Sequence, residues 1–290
     1  MKGEAEAISH GAATIINAIA TGNGAAIGTD LWTKAKVRLV DDSEYIEGTI
    51  VSDPAESPTL IMSTVKRVLR HFNLEGKLGA KVETWSNIPI ARGLKSSSTA
   101  ANAIALATVA ALEKKLDDLT IVKLGVDGAV DANVTITGAF DDACASYFGG
   151  IVVTDNLKRI IVKRFEGVEG LTVLFHVPAK KSYTVDSDVK RLEGVGSLVK
   201  IAYKEALKGN HWTALTLNGI ICSSALGCNP SIAIDALMRG AVAAGLSGTG
   251  PAVTAIVSGE SIDLVKDVWQ AYEGEILETR VNCDKARVVS

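Results

Sequence analysis

Apolar and polar positions along this chain follow two different periods. Leu60, Ile61, Val65, Val68, Leu69 and Phe72 recur at helical spacing with Lys66, Arg67 and Arg70 between them, which predicts an amphipathic helix over Thr59–Phe72. Trp32–Val40 alternates, as a strand with one face on a core does, and Ile46–Val51, Gly79–Ser86, Ile151–Thr154, Arg159–Phe165 and Leu171–Pro178 read as further strands. Helices are expected over the alanine-rich segment from Ala100, over Thr120–Ala132, Val185–Leu192, Gly196–Leu207, Trp212–Leu226, Ser231–Ala244 and Ile262–Tyr272, with a closing strand over Glu275–Val281. The small-residue segment Ala5–Gly22 predicts a strand, a loop at His10–Gly11 and a short helix or turn. Helices and strands alternate without a short-period repeat, so the expected fold is α/β or α+β in two halves, 1–155 and 156–290.

Composition narrows the function classes. The chain has 290 residues, 47% of them apolar, enough for a large core. Its 30 Lys and Arg are balanced by 33 Asp and Glu, a net charge of −3, with no basic tail, basic helix or run of like charge. That argues against nucleic acid and membrane surfaces as partners and leaves a small-molecule substrate. The acidic start Met1–Glu6 does not read as a signal peptide, and no stretch has the apolar length of a membrane span, so a cytoplasmic protein is expected. Cys144, Cys222, Cys228 and Cys283 are scattered without a C-x-x-C pair and read as reduced thiols. His10, His71, His176 and His211 have no metal-ligand spacing.

The candidate chemistry is concentrated in a few segments. Pro89–Ile90–Ala91–Arg92–Gly93–Leu94–Lys95–Ser96–Ser97–Ser98–Thr99 reads as a strand end, a glycine turn and the capped start of the alanine-rich helix. The unpaired N–H groups and dipole of a helix start form an anion site, and Lys95 adds positive charge; an ordinary capped helix is the plainer reading. Asp141 and Asp142 stand just before a small-residue helix, where they can be caps or a catalytic carboxylate and its neighbour. Gly245–Leu246–Ser247–Gly248–Thr249–Gly250–Pro251 is a second glycine loop, and Ala179–Thr184 is a basic, hydroxyl-rich loop after a strand end.

The N-terminal small-residue segment, Pro89–Thr99 and Gly245–Ala252, in that order, resemble the GHMP kinase superfamily over essentially the whole chain. Its central motif, P-x-x-x-G-L-G-S-S-[AS], is matched by Pro89, Gly93, Leu94, Ser96, Ser97 and Ser98, with Lys95 in place of the usual glycine. The Gly93–Ser98 and Thr137–Ala143 segments look most like the archaeal-type shikimate kinases of this superfamily; a Walker-type G-x-x-x-x-G-K-[ST] is absent. The resemblance implies an α+β two-domain GHMP kinase fold, with a ribosomal-S5-like N-terminal domain and a ferredoxin-like C-terminal domain. It also implies ATP- and Mg²⁺-dependent phosphorylation of the shikimate 3-hydroxyl by a monomer or homodimer; another GHMP small-molecule kinase, mevalonate- or homoserine-type, or a non-catalytic sensor on the same fold are the alternatives.

Carried over residue by residue, the resemblance implies an ATP site at Pro89–Ser98 with Gly248 and Gly250, and Mg²⁺ at Ser97. Counting without gaps places the acidic metal ligand at Asp131 and the catalytic base at Asp142, whereas the D-x-A pattern selects Asp141; the common count favours Asp142. Substrate candidates are His10 and Thr21 in the N-terminal segment and, for a carboxylate, Arg92, Lys180, Lys181 and Arg239.

Overall fold

The computed structural model describes residues 3–41, 43–166, 170–179 and 188–289. Two hairpin strands, β1 (Glu4–Ile16) and β2 (Asn23–Asp41), joined through a 3-10 turn at Ala18–Ala20, form its spine. The first sheet has the order β11–β1–β2–β4–β3, where β3 is Ile46–Ile50, β4 Leu78–Ser86 and β11 Arg287–Val288. The N-terminal part of β2 instead pairs with β5 (Ile151–Asp155), which carries β6 (Ile160–Phe165) outside it. All pairings are antiparallel except β3–β4.

The helices α1 (Thr59–His71), α2 (Ser96–Ala111), α3 (Asp118–Asp131) and α4 (Phe140–Phe148) pack with this sheet around one core. Helix α1 buries the stripe Ile61, Val65, Val68 and Leu69, as its periodicity predicts. Helix α2 is buried on nearly every side from Ala101 to Ala111, and its alanines bring the backbone close to β1, β2, α1 and α3. It is therefore a rigid strut, and whatever its N-terminus holds is held firmly.

The second sheet has the order β10–β7–β9–β8, where β7 is Thr172–Val177, β8 Ala243–Leu246, β9 Val253–Val257 and β10 Glu275–Arg280; every neighbour is antiparallel. Helices α6 (Gly196–Lys208) and α7 (His211–Leu226) fill the space between the sheets, with the short α5 (Val189–Gly194) beside them. Ile15, Ile16 and Ile27 of the first sheet share that core with Phe175, Leu215 and Leu246 of the second unit. Helices α8 (Ser231–Met238) and α9 (Ser261–Trp269) close a smaller core around Trp269.

The structure adds to or departs from the expected elements at a few points. β1 runs straight through His10–Gly11, where the predicted loop is a register shift against β2. The predicted helix over Ser231–Ala244 stops at Met238, because Ala243 and Ala244 are recruited into β8. The sheets part after β6, later than the 155/156 boundary, which falls inside the β5–β6 hairpin. The closing segment returns to the first sheet as β11, a two-residue pairing too short to leave a periodic signal.

Candidate active site

The Pro89–Lys95 loop runs from β4 to α2 and takes an unusual backbone path. Ala91, Gly93 and Lys95 all have left-handed angles, with φ of 56°, 86° and 64°. For the two non-glycines this costs on the order of 1 kcal/mol each, so surrounding contacts must hold the loop. Leu94 is buried in the core between the sheets. Ser247 Oγ donates to the Gly93 carbonyl at 2.8 Å, and Ala252 N–H donates to the Arg92 carbonyl at 3.2 Å. A Cβ on Gly93 would meet the Ser247 carbonyl at 2.8 Å, so the close approach of the two glycine loops itself requires glycine there.

Helix α2 starts without a side-chain cap. Its backbone N–H groups at Ser96, Ser97 and Ser98 have no acceptor among the described residues, while the Lys95 carbonyl accepts from Thr99. Unsatisfied first-turn N–H groups at a buried helix end are an anion site. They open onto a cavity of about 200 Å³ that includes Ile90, Ala91, Gly93, Lys95, Ser96, Ser97, Ser98, Asp141, Asp142 and Gly248 in its lining. Ile50, Leu60, Ile61, Val134 and Ile136 give it an apolar wall, and Thr14, Asn17 and Thr249 also line it.

Asp141 and Asp142 lie in the first turn of α4, yet neither caps it; Ala139 occupies the capping position with φ of 47°. Asn102 in α2 anchors α4 by donating to the Ala143 carbonyl at 2.8 Å. The two acids then take different partners. Lys95 Nζ stands 3.1 Å from Asp142 Oδ2, both side chains nearly buried. Asn156 Nδ2 donates to Asp141 Oδ1 at 2.8 Å, and Thr154 Oγ1 fixes the Asn156 amide by donating to its Oδ1 at 2.7 Å. Burial and the neighbouring Asp142 charge push the Asp141 carboxyl up to about 7. Burial also raises Asp142, but the Lys95 ammonium opposes it and favours the carboxylate. Asp141 is thus raised by burial and by Asp142 against the opposing Asn156 hydrogen bond, whereas Asp142 has a cation beside it that offsets part of the cost of burying its charge.

Other sequence-predicted residues stand elsewhere. Asp131 ends α3 as a bidentate partner of Arg67, which holds its carboxyl low, and it does not line the cavity with Ser97. His10 is buried on β1 beside Asp30, 3.7 Å away, with its imidazole pKa lowered by burial; it is not a cavity residue. Thr21 closes the turn into β2 through Asn23 N–H and is likewise outside the cavity. Arg92 is not a cavity-lining residue; it donates its guanidinium to the Pro178 carbonyl, which ties the end of β7 to the loop. Pro89, Leu94 and Gly250 shape the loops from behind without lining the space. Arg239 is exposed at the end of α8. Lys180 and Lys181 lie outside the described residues.

The N-terminal segment does reach the cavity, through Thr14 and Asn17 in place of His10 and Thr21. Asn17 Nδ2 donates to the Gly248 carbonyl at 2.9 Å, and Asn218 Oδ1 of α7 accepts from Asn17 N–H at 3.1 Å. Asn156, Glu56 and the apolar wall were also missed, since each comes from an element remote in sequence from the glycine loops.

Comparison with known proteins identifies the family. A family model described as "GHMP kinases N terminal domain" matches residues 59–150. A shikimate kinase of Methanosarcina mazei is 45% identical over 281 residues, covering 96% of this chain and 94% of its own. One of Methanosarcina acetivorans is 46% identical over the same shares.

The chain belongs to the GHMP kinase family.

Solved GHMP kinases show the same two-sheet fold. Methanococcus jannaschii mevalonate kinase superposes with a TM-score of 0.75 at 18% identity, over 97% of this chain and 99% of its own. Homoserine kinase from Cytophaga hutchinsonii gives 0.75 at 15% identity, over 100% and 98%. The α+β two-domain fold expected from the motifs is thereby shown for this kinase.

Proposed function

We propose that this GHMP kinase transfers the γ-phosphoryl group of ATP to the 3-hydroxyl of shikimate, giving shikimate 3-phosphate and ADP. The observation that carries the reading is the meeting of three groups in one cavity: the uncapped N–H groups of α2, the Lys95 ammonium and the buried Asp142 carboxylate. The relatives named shikimate kinase, similar over nearly the whole chain, support the choice of alcohol.

In this reading the triphosphate rests on the Ser96–Ser98 N–H groups, where helix dipole and unsatisfied donors favour negative charge. The apolar wall of Leu60, Ile61, Val134 and Ile136 receives the adenine. Asp142, whose carboxylate form the adjacent Lys95 ammonium favours against burial, takes the proton of the attacking hydroxyl as the new O–P bond forms. Asp141, raised toward neutrality and fixed by Asn156, presents a carboxyl beside it.

The residues present fit a magnesium ion carried in on phosphate oxygens. Ser97 lines the cavity on the anion-site side, and its hydroxyl has no partner among the described residues. Mg²⁺ takes few protein ligands when phosphates supply the rest. Ser97 would hold it, and the ion would neutralise developing charge on the β- and γ-phosphates. Asp131, locked to Arg67, is not part of that set.

A coupled ADP-release assay tests the function. Shikimate should turn over well above homoserine, mevalonate and galactose; equal background with all four would overturn the shikimate reading.

A further inference from the structure

Lys95 stands where the family motif has glycine, and it departs from its surroundings in three ways. It is the only Lys or Arg among the described residues lining the cavity. It holds a left-handed backbone, φ 64° and ψ 28°, which glycine would adopt without strain. Its ammonium reaches over Gly248, where a Cβ would come to 2.5 Å of Nζ, and ends on Asp142. A strained lysine is therefore built into the phosphate loop with its charge spanning both glycine loops and the base.

We propose that Lys95 is a shared cation that passes from Asp142 to the nucleotide phosphates during turnover, releasing Asp142 to act as the base. The inference rests on the kinase reading above. In the free protein the ammonium pairs with Asp142 Oδ2, while Asp142 Oδ1 is buried without a partner. Lys95 also occupies the capping position of α2, directly before the unpaired N–H groups that receive the phosphates. A triphosphate bound there offers the ammonium a stronger anion within reach of its flexible stem. As the ammonium swings over, the hydroxyl proton goes to Asp142. The Pγ–O bond to ADP then breaks while the substrate O–P bond forms, and Lys95 stays protonated beside the charge left on the ADP oxygen. Among the described residues, the charged groups that share the cavity with Asp142 are Asp141, Glu56 and Lys95, so Lys95 supplies the only positive charge there.

The experiment compares Lys95→Met, Lys95→Gly, Lys95→Arg and Asp142→Asn with the native protein. Calorimetry with Mg²⁺ and a non-hydrolysable ATP analogue reads the phosphate arm. Lys95→Met and Lys95→Gly should weaken binding roughly tenfold, as loss of a charge-assisted contact does. Asp142→Asn, which frees the ammonium, should bind at least as tightly as native, and adding Lys95→Met should abolish that binding advantage. The pH profile of kcat/KM reads the other arm. Removing the cation should move the acid limb to higher pH and lower the plateau on the order of 100-fold, with Lys95→Arg restoring part of both. Lys95→Gly relieves the left-handed strain, which offsets only part of the cost of leaving Asp142 unpaired, so a melt showing it folded at the assay temperature separates a lost charge from a damaged fold. Unchanged analogue affinity in Lys95→Met, or an acid limb that does not move in Lys95→Gly, overturns the proposal. If the native protein fails to phosphorylate shikimate, the function is wrong, yet the calorimetric arm still decides whether Lys95 serves the phosphates.

Discussion

Asn156 Nδ2 donates to Asp141 Oδ1 at 2.8 Å, while the adjacent Asp142 takes the Lys95 ammonium at 3.1 Å. Two neighbours on one helical turn are thereby driven to different protonation behaviour. Asp141 has a folded pKa of about 7, above its ordinary 3.8, chiefly through burial. A group raised in this way favours folding most fully below about pH 4, and that advantage is lost as pH rises through 7. Asp141→Asn keeps the shape and removes the titration. The variant should gain stability relative to native between pH 5 and pH 8, by a few degrees in Tm at pH 8. Thermal melts across that range check it, and a constant difference between the two proteins would contradict it.

Asp142 has the opposite role, so its substitution should separate chemistry from binding. Asp142→Asn should lower kcat by about 10²- to 10⁴-fold, the usual worth of a positioned general base. Affinity for the nucleotide should survive, because the α2 N–H groups are untouched. Single-turnover rates beside nucleotide titrations distinguish this from a damaged site. If Asp141→Asn instead proves the more severe loss, the base is Asp141.

Much of this site was legible because glycine loops, a lysine at a glycine position and paired acids are local signals. Ile90–Ser98, Gly248 and both aspartates could be named from short windows, and all but Arg92 and Leu94 of that set line one cavity. What short windows do not carry is register and distant partners. The resemblance pointed to the N-terminal segment through His10 and Thr21, and the register of β1 carries Thr14 and Asn17 of that segment to the cavity. Counting back from Asp142 reached an acid at Asp131, but nothing near it in sequence announces Arg67, two helices earlier on α1. The helix expected to run to Ala244 stops before Gly240, a left-handed glycine that is the local stop signal, and pairing with β9 then takes Ala243 and Ala244 into β8.

Asp131 offers a direct check of the metal site. Its ion pair with Arg67 is partly solvent-exposed, and exposed pairs contribute about 1 kcal/mol or less. Asp131→Asn should keep kcat and the Mg²⁺ dependence within about twofold of native and lower Tm by no more than a few degrees. A large rise in the Mg²⁺ concentration needed for half-maximal rate would return Asp131 to the metal site.

Three buried histidines set the acid side of stability. His10, His176 and His211 all have imidazole pKa values lowered by burial, His10 despite its neighbour Asp30. Each is neutral in the folded protein where the unfolded chain already binds a proton, so stability falls as pH drops below about 6.5 toward the lowered folded values. This runs against the Asp141 trend. His176 is edge-on to both Trp269 and Tyr272 and has no charged group among the causes of its shift, so its effect is the cleanest to isolate. In His176→Gln the loss of Tm between pH 7 and pH 5 should be smaller than in native, even if the variant melts lower at pH 7. An identical slope would show that His176 does not titrate with unfolding.

Gly24 tests how tightly the strand spine sets the acids. It sits in β2 directly over Asp141, and a Cβ there would collide with the Asp141 carboxylate, its nearest atoms being Oδ2, Cγ and Cβ. The carboxylate cannot retreat freely, because Asn156 holds Oδ1 and Thr154 Oγ1 donates to both Asn156 Oδ1 and the Gly24 carbonyl. Gly24→Ala must therefore displace Asp141, disturb the β2–β5 pairing, or both. Overpacking of this kind costs about 1–3 kcal/mol, so Tm should fall by several degrees. The displaced Asp141 should crowd Asp142 and its lysine, lowering kcat more than it raises KM for ATP, whose proposed contacts lie on α2 and the apolar wall. Combining Gly24→Ala with Asp141→Gly, which removes the obstructing carboxyl, should recover most of the lost Tm relative to Asp141→Gly itself. Simple additivity of the two substitutions would show that Gly24 and Asp141 do not press on each other.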